Sequence, residues 1–215
     1  MQQMLRNITA KYHLNGIVLG EFSKIKARGI GFEIWAFHAD GLGHVAAVTT
    51  RGALGLTGTQ SLIVNPTQRD LPLFICRRTW SPGSGTLRCE LFDTLLEDAD
   101  LGTLERLKES YRHLPDHTGT ARWSDSMKLG TSLAKQGKHG HTGELDRCAM
   151  EYLQHFLEAA DNAPYCDPSA KNAKAAVYVE GLLQNGDAAA DGFRRSIGRE
   201  KTDLLYRNIL FGIGR

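Results

Sequence analysis

No apolar run in this sequence approaches the roughly 20 residues that a membrane-spanning helix requires, so nothing in it reads as a membrane span. The amino terminus, Met1-Gln2-Gln3-Met4-Leu5-Arg6-Asn7, leads into no apolar segment, and no secretory signal is expected. The four cysteines, Cys76, Cys89, Cys148 and Cys166, show no Cys-x-x-Cys spacing. They read as free thiols in a reducing cytoplasm, most of them filling the core. There is no excess of one charge: the formal net charge of +2, with no basic block interleaved with aromatics, argues against nucleic acid. Nucleotide loops are missing too, with neither Gly-x-x-x-x-Gly-Lys-Ser/Thr nor Gly-x-Gly-x-x-Gly after a strand. No Gly-x-Ser-x-Gly elbow supports a serine hydrolase. No internal repeat is found.

What is present is an ordinary soluble composition, 41% apolar and 23% charged, over 215 residues. That length suits a sizeable core and one domain covering 1–215. The most informative stretch is Leu62 to Leu91. Leu62-Ile63-Val64-Asn65-Pro66, Leu71-Pro72-Leu73-Phe74-Ile75-Cys76 and Leu87-Arg88-Cys89-Glu90-Leu91 are short apolar runs separated by polar, Pro- and Gly-rich turns, which predicts an antiparallel meander. The first two runs are apolar almost throughout, so that part of the sheet is expected to be covered on both faces. Glu90 stands out, because a carboxylate buried between Cys89 and Leu91 would need a role.

Before the meander, 16–20, 31–37 and 44–49 are β-rich runs closed by glycines. After it, leucines at 101, 104 and 107 with Tyr111 predict a helix over 100–112, and 114–143 reads as a long functional or disordered loop. Leu145, Cys148, Ala149, Tyr152, Leu153, Phe156 and Leu157 form one helical stripe ended by Asn162-Ala163-Pro164. Further helices are expected from Ser169 as N-cap to Asn185-Gly186, from Ala188 to Ile197 with Gly198 behind it, and behind Thr202 through Leu210. Strands first and helices later favour an α+β fold. His139-Gly140-His141, without a cysteine or carboxylate at ligand spacing, reads as solvated rather than metal-binding. Asp187 reads by itself as a helix N-cap, and Lys171, Lys174, Arg194, Arg195, Arg199, Lys201 and Arg207 as solvated helix faces. Pattern alone stops there.

A family resemblance begins at Leu62-Ile63-Val64-Asn65-Pro66 followed by Asp70-Leu71-Pro72-Leu73-Phe74. It resumes at Glu151-Tyr152-Leu153 and Ala163-Pro164, and is strongest at Tyr178, Gly186-Asp187-Ala188, Phe193-Arg194-Arg195-Ser196-Ile197-Gly198 and Leu210-Phe211. In these motifs, in this order, residues 60–215 resemble the ferredoxin-dependent bilin reductases. The resemblance implies an α/β/α sandwich, a central antiparallel sheet flanked by helices on both faces. It implies reduction of biliverdin IXα to a phytobilin through bilin radicals, with no bound cofactor and with electrons from the iron–sulfur cluster of reduced ferredoxin, or from flavodoxin. A monomer and a cytoplasmic location are expected. A basic rim of Arg194, Arg195, Arg199, Lys201 and Arg207 would steer the acidic ferredoxin.

Two proton donors are carried over by motif: Glu90 for the family's acid on the third meander strand, and Asp187 for the Asp of Asp-Pro-Ala. Asp93 is the alternative to Glu90 if Ser81-Pro82-Gly83-Ser84-Gly85 counts as an insertion. Such an acid works when an apolar pocket raises its pKa. Arg195 would hold a propionate or bilin carbonyl, and Ser61, Asn65 and Phe74 would contact the substrate. Several departures from the family pattern bear on the regiochemistry: Ser61 stands where one branch has His, Thr49 or Thr50 where it has Glu, and Ala188 where the family has Pro. A tetrapyrrole carrier without redox activity, or a reductase of another open-chain tetrapyrrole such as a chlorophyll catabolite, are the alternatives.

Overall fold

The computed structural model describes residues 1–27, 30–52, 55–120, 122–186 and 188–214. Its centre is one antiparallel sheet of eight strands: β1 (Leu14–Gly16), β2 (Lys24–Ala27), β3 (Ile30–Ala39), β4 (Gly43–Arg51), β5 (Gly58–Asn65), β6 (Leu73–Ser81), β7 (Ser84–Phe92) and β8 (Leu133–Lys138). They lie in the order β1-β3-β4-β5-β6-β7-β8, with β2 beside the other end of β3. The expected meander is β5-β6-β7. Its hairpin turns on Pro82-Gly83, where Gly83 takes the left-handed φ of 80° that a Pro-Gly turn needs. Ser81 faces Ser84, and the ladder then runs without a bulge to Leu73 opposite Phe92.

Helices cover both faces. α1 (Gln2–Thr9), α2 (Gly102–Ser110) and α3 (Thr142–Asn162) pack on Val45, Leu62, Val64, Phe74, Cys76, Leu87, Cys89 and Leu91. α4 (Pro168–Asn185), α5 (Ala188–Ile197) and the segment Leu205–Leu210 that follows α6 (Arg199–Leu204) pack on Ile34, Ala36, Ala46, Ile63, Leu73, Ile75 and Phe92. The sandwich inferred from the resemblance is the observed architecture, and all seven residues of the α3 stripe are buried.

Local differences have physical reasons. The polar α1 was not expected, since only Met4 and Ile8 of its eight residues are buried. β8 lies inside the segment read as a loop. It alternates buried and open positions, but Lys135 holds an inward one, its ammonium bonded to the Leu114 carbonyl at 3.0 Å and to Asp116 at 2.7 Å. Of the 16–20 run only Gly16 lies in a strand, although the Ile17 amide still donates to the Ala36 carbonyl of β3 at 2.9 Å. α4 is capped by Asp167 rather than Ser169: its carboxylate accepts from the Ser169 and Ala170 amides, with Pro168 at the first helical position. Thr202 is not a cap, because its hydroxyl donates back to the Gly198 carbonyl at 2.7 Å inside α6.

α6 widens into a π-helical turn, Leu205–Leu210. At its end the Ile209 carbonyl lies 2.8 Å from His44 Nε2, and the Phe211 carbonyl accepts from Asn65 Nδ2 at 2.8 Å. Asn65-Pro66 and Leu210-Phe211, motifs at opposite ends of the resemblance, are thereby joined.

α4 is anchored at the start of β6. The Lys171 ammonium, fully buried, donates to Asp70 at 3.0 Å and to the carbonyls of Leu71 at 2.7 Å and Thr94 at 2.6 Å. Asp70 also accepts from the amides of Leu96 at 2.9 Å and Glu97 at 2.8 Å. The Asp of Asp-Leu-Pro is therefore a structural group in this fold.

Candidate active site

Side chains alternate along a strand, so one parity of the sheet faces α4, α5 and the π-helical turn. From β3 to β7 that parity presents Phe32, Val48, Thr50, Ser61, Ile63, Ile75, Arg77, Arg88 and Glu90. Between the Phe32-to-Arg77 part of this surface and the helices lies a cavity of about 360 Å³, lined also by Tyr178, Leu182, Phe193, Tyr206, Leu210 and Phe211. Its aromatic wall is continuous. Phe32 and Phe193 have ring centroids 4.6 Å apart, Phe193 and Tyr206 6.2 Å, Tyr206 and Phe211 6.2 Å, and Phe211 and Tyr178 5.8 Å. Tyr178 packs further on Phe92 and Trp123.

A second cavity of about 530 Å³ shares Ile75, Arg77, Tyr178, Leu182 and Ala189 with the first, and adds Arg88, Glu90, Arg122 and Trp123. The two form one cleft, apolar at one end and charged at the other. Its outer wall is a 3₁₀ turn, Trp123–Met127, seated on α4 where Gly181 leaves room. A Cβ on Gly181 would come within 2.4 Å of the Trp123 ring. Gly181→Ala should therefore displace Trp123 and cost about 1–3 kcal/mol by overpacking; a denaturant midpoint equal to wild type would contradict that seating.

At the charged end, Arg77 on β6 and Arg88 on β7 are directly opposed in the ladder. Like charges so placed are destabilising. Arg77 Nε reaches Ser61 Oγ at 3.3 Å. Burial pulls the Arg88 guanidinium below its usual pKa, and the charges of Arg122 and Arg77 pull it further, against Glu90. A bound anion would relieve this crowding.

Glu90, 5% exposed, faces the same cleft. Both its oxygens accept from Arg122, Oε2 at 3.3 Å, and Lys128 stands 3.3 Å from Oε1. Asp125 fixes the geometry, accepting the Arg122 amide at 2.7 Å and pairing with Lys128 at 2.7 Å. Burial alone would raise the Glu90 pKa, but the bonds and charges of Arg122, followed by Lys128, outweigh it and hold the carboxyl below the usual carboxylate range. That is the reverse of the raised acid expected from sequence.

The structure brings Ser61 and Glu90 into the cleft and leaves other expected site residues outside it. Phe74 has the wrong parity: it is buried against α3 with Phe156, centroids 4.8 Å apart. Asn65 is fully buried beneath Phe211, its Oδ1 without a partner among the described residues. Asp93 lies exposed beyond β7, accepting the Leu95 amide at 3.2 Å. Because the Pro82-Gly83 turn is an ordinary two-residue hairpin, no insertion moves Asp93 into the position of Glu90. Arg195 is exposed on α5, outside both cavities. Asp187 lies outside the described residues; its neighbours Gly186 and Ala189 line the cleft.

Of the expected basic rim, Lys201 pairs with Glu21 at 2.6 Å, Arg207 with Glu180 at 2.7 Å and Arg194 with Asp191 at 3.4 Å. Arg195 and Arg199 make no ion pair among the described residues. His141 bonds Glu144 at 2.9 Å, and among the described residues no group of three His, Cys, Asp or Glu could hold a metal ion.

No family model and no curated protein matches this chain. Solved structures do. Phytochromobilin synthase from tomato, crystallised with selenomethionine and in complex with biliverdin, superposes with a TM-score of 0.78 at 14% identity. The match covers 99% of this chain and 81% of that one. The resemblance to the ferredoxin-dependent bilin reductases is thus met at the level of the fold.

Proposed function

We propose that this chain binds a linear tetrapyrrole, biliverdin IXα or a close analogue, and reduces it with electrons from reduced ferredoxin to a phytobilin. The phycocyanobilin, phycoerythrobilin and dihydrobiliverdin types all fit that class. The observation that carries the proposal is the cleft itself, aromatic along one end and cationic at the other, in a fold that holds biliverdin in another protein. A flat conjugated ligand suits aromatic walls. Around Glu90, four cations (Arg77, Arg88, Arg122 and Lys128) stand against two carboxylates (Glu90 and Asp125), leaving an excess of two positive charges. A tetrapyrrole carrying two propionates matches that excess.

Each reduced double bond takes up two electrons and two protons. In this proposal the electrons arrive singly from the iron–sulfur cluster of ferredoxin, the chain binds no cofactor of its own, and Glu90 and Asp187 supply protons. The exposed Arg195 and Arg199 are the docking charges for an acidic donor.

An absorbance titration with biliverdin IXα tests the binding step. Wild type should form a red-shifted complex. Arg88→Met should bind at least about 10-fold more weakly, for loss of a charge-assisted hydrogen bond worth roughly 1.5–3 kcal/mol. No spectral change in wild type would end the tetrapyrrole proposal, and equal affinities would remove Arg88 from it. One observation favours a second function, a carrier without redox activity: Glu90 is paired as a carboxylate with Arg122. A complex unchanged by reduced ferredoxin would identify the carrier.

A further inference from the structure

The Glu90–Arg122 pair joins two unequal groups. Glu90 is fixed on the floor strand β7, with 7% of its side chain exposed; Arg122 stands on the turn wall, with 28% exposed. The charged and titratable groups facing Glu90 are Arg122, Lys128 and Asp125 from the turn, Arg88 and Arg77 from β7 and β6, and Tyr178 from α4. Lys128 is closer to Asp125, at 2.7 Å, than to Glu90, at 3.3 Å. Among the described residues, Arg122 alone engages both Glu90 oxygens. A guanidinium binds any carboxylate through the same fork, so a ligand carboxylate in this cleft competes with Glu90 for it. A buried carboxylate that loses its cation is driven towards the neutral acid.

We infer that Arg122 is a positioning residue shared between Glu90 and the substrate: an anionic group of the entering ligand draws Arg122 off Glu90, and Glu90 then takes a proton from solvent and holds it for the ligand. This rests on the tetrapyrrole function proposed above. The step balances. Glu90 gains one proton as the ligand binds and gives it to a ligand atom that has accepted one electron from the reduced iron–sulfur donor. It returns to the carboxylate and pairs with Arg122 again when product leaves. The arrangement makes the acid available only when the cleft is occupied, and it reconciles the Glu90–Arg122 pair with a proton-donating role.

Infrared difference spectroscopy, which reads a carboxylic acid directly, and calorimetry in buffers of differing ionisation enthalpy, which counts protons, test the inference at neutral pH. Addition of biliverdin IXα to wild type should produce a carboxylic-acid band that Glu90→Gln lacks, with net proton uptake. Biliverdin dimethyl ester, which carries no propionate charge, should produce neither. Free Arg122→Met, with Arg122→Gln as a second variant, should show the band before any ligand is added and take up no proton on binding. Arg122→Lys should behave more like wild type. A wild-type biliverdin complex without the band or the uptake overturns the inference and leaves the tetrapyrrole function standing. The same holds if both free variants lack the band. Absence of any biliverdin complex overturns the tetrapyrrole function, and the shared-Arg122 mechanism with it.

Discussion

Glu90→Gln is expected to lower biliverdin turnover by about 10²- to 10⁴-fold, the usual contribution of a positioned general acid, while leaving biliverdin bound. The two effects separate because the substitution removes a proton, not a wall. Gln fills the same volume on β7, and the aromatic lining from Phe32 to Tyr178 is untouched. Arg122 and Lys128 keep Asp125 as a partner, at 3.6 Å and 2.7 Å. Stopped-flow absorbance under anaerobic conditions checks the expectation, with Asp187→Asn measured alongside. If both variants keep full turnover, neither carboxyl is the donor. If only Glu90→Gln keeps it, Asp187 is left as the sole candidate.

Lys171→Ala should destabilise the fold by about 3–5 kcal/mol, the cost of stripping one member from a buried ion pair. The ammonium is fully buried and makes three bonds, two of them to the carbonyls of Leu71 and Thr94. Burial pulls its pKa down, against Asp70 first and then Cys166 and Asp93, which pull it partway back. Its removal leaves Asp70 charged and buried, with only the Leu96 and Glu97 amides to satisfy it. Urea unfolding of Lys171→Ala and of Lys171→Met with Asp70→Asn checks this. The double variant should recover part of the loss, because no charge is then left uncompensated. A Lys171→Ala midpoint within error of wild type would contradict the anchor.

Asp70 also fixes a pH dependence. Burial would raise its pKa, but the Leu96 amide, Lys171 and the Glu97 amide together lower it below the usual range. The stabilisation is therefore complete above the unfolded-state value of about 3.9 and lost as pH falls through the lower folded value. Acid unfolding of Asp70→Asn should show a shallower pH slope in that window than wild type.

Much of the fold can be read from local pattern, because its signals are local. The Pro82-Gly83 turn, the α3 stripe ending before Pro164, and the Gly186 and Gly198 stops are each set within a few residues. β8 and α1 escape such reading because a tertiary partner decides each. Lys135 is tolerable in a strand only because the Leu114 carbonyl and Asp116 receive its ammonium, and α1 buries just Met4 and Ile8. The site divides in the same way. Counting outward from Pro82-Gly83 puts Ile75 opposite Glu90 and Arg77 opposite Arg88, so the charged floor was legible once the turn was fixed. The same count gives Phe74 the other parity, which a motif match cannot show. Arg122 and Lys128 come from a turn some thirty residues further on in the sequence, and no local pattern links them to β7.

The tetrapyrrole reduction proposed for this cleft can be followed optically. Its most direct test is the absorption spectrum of the biliverdin IXα complex, followed without air as reduced ferredoxin is added. The expected result is loss of the red-shifted complex through a transient radical band to a product absorbing at shorter wavelength. A complex that forms and then persists unchanged through many equivalents of reduced ferredoxin would contradict it.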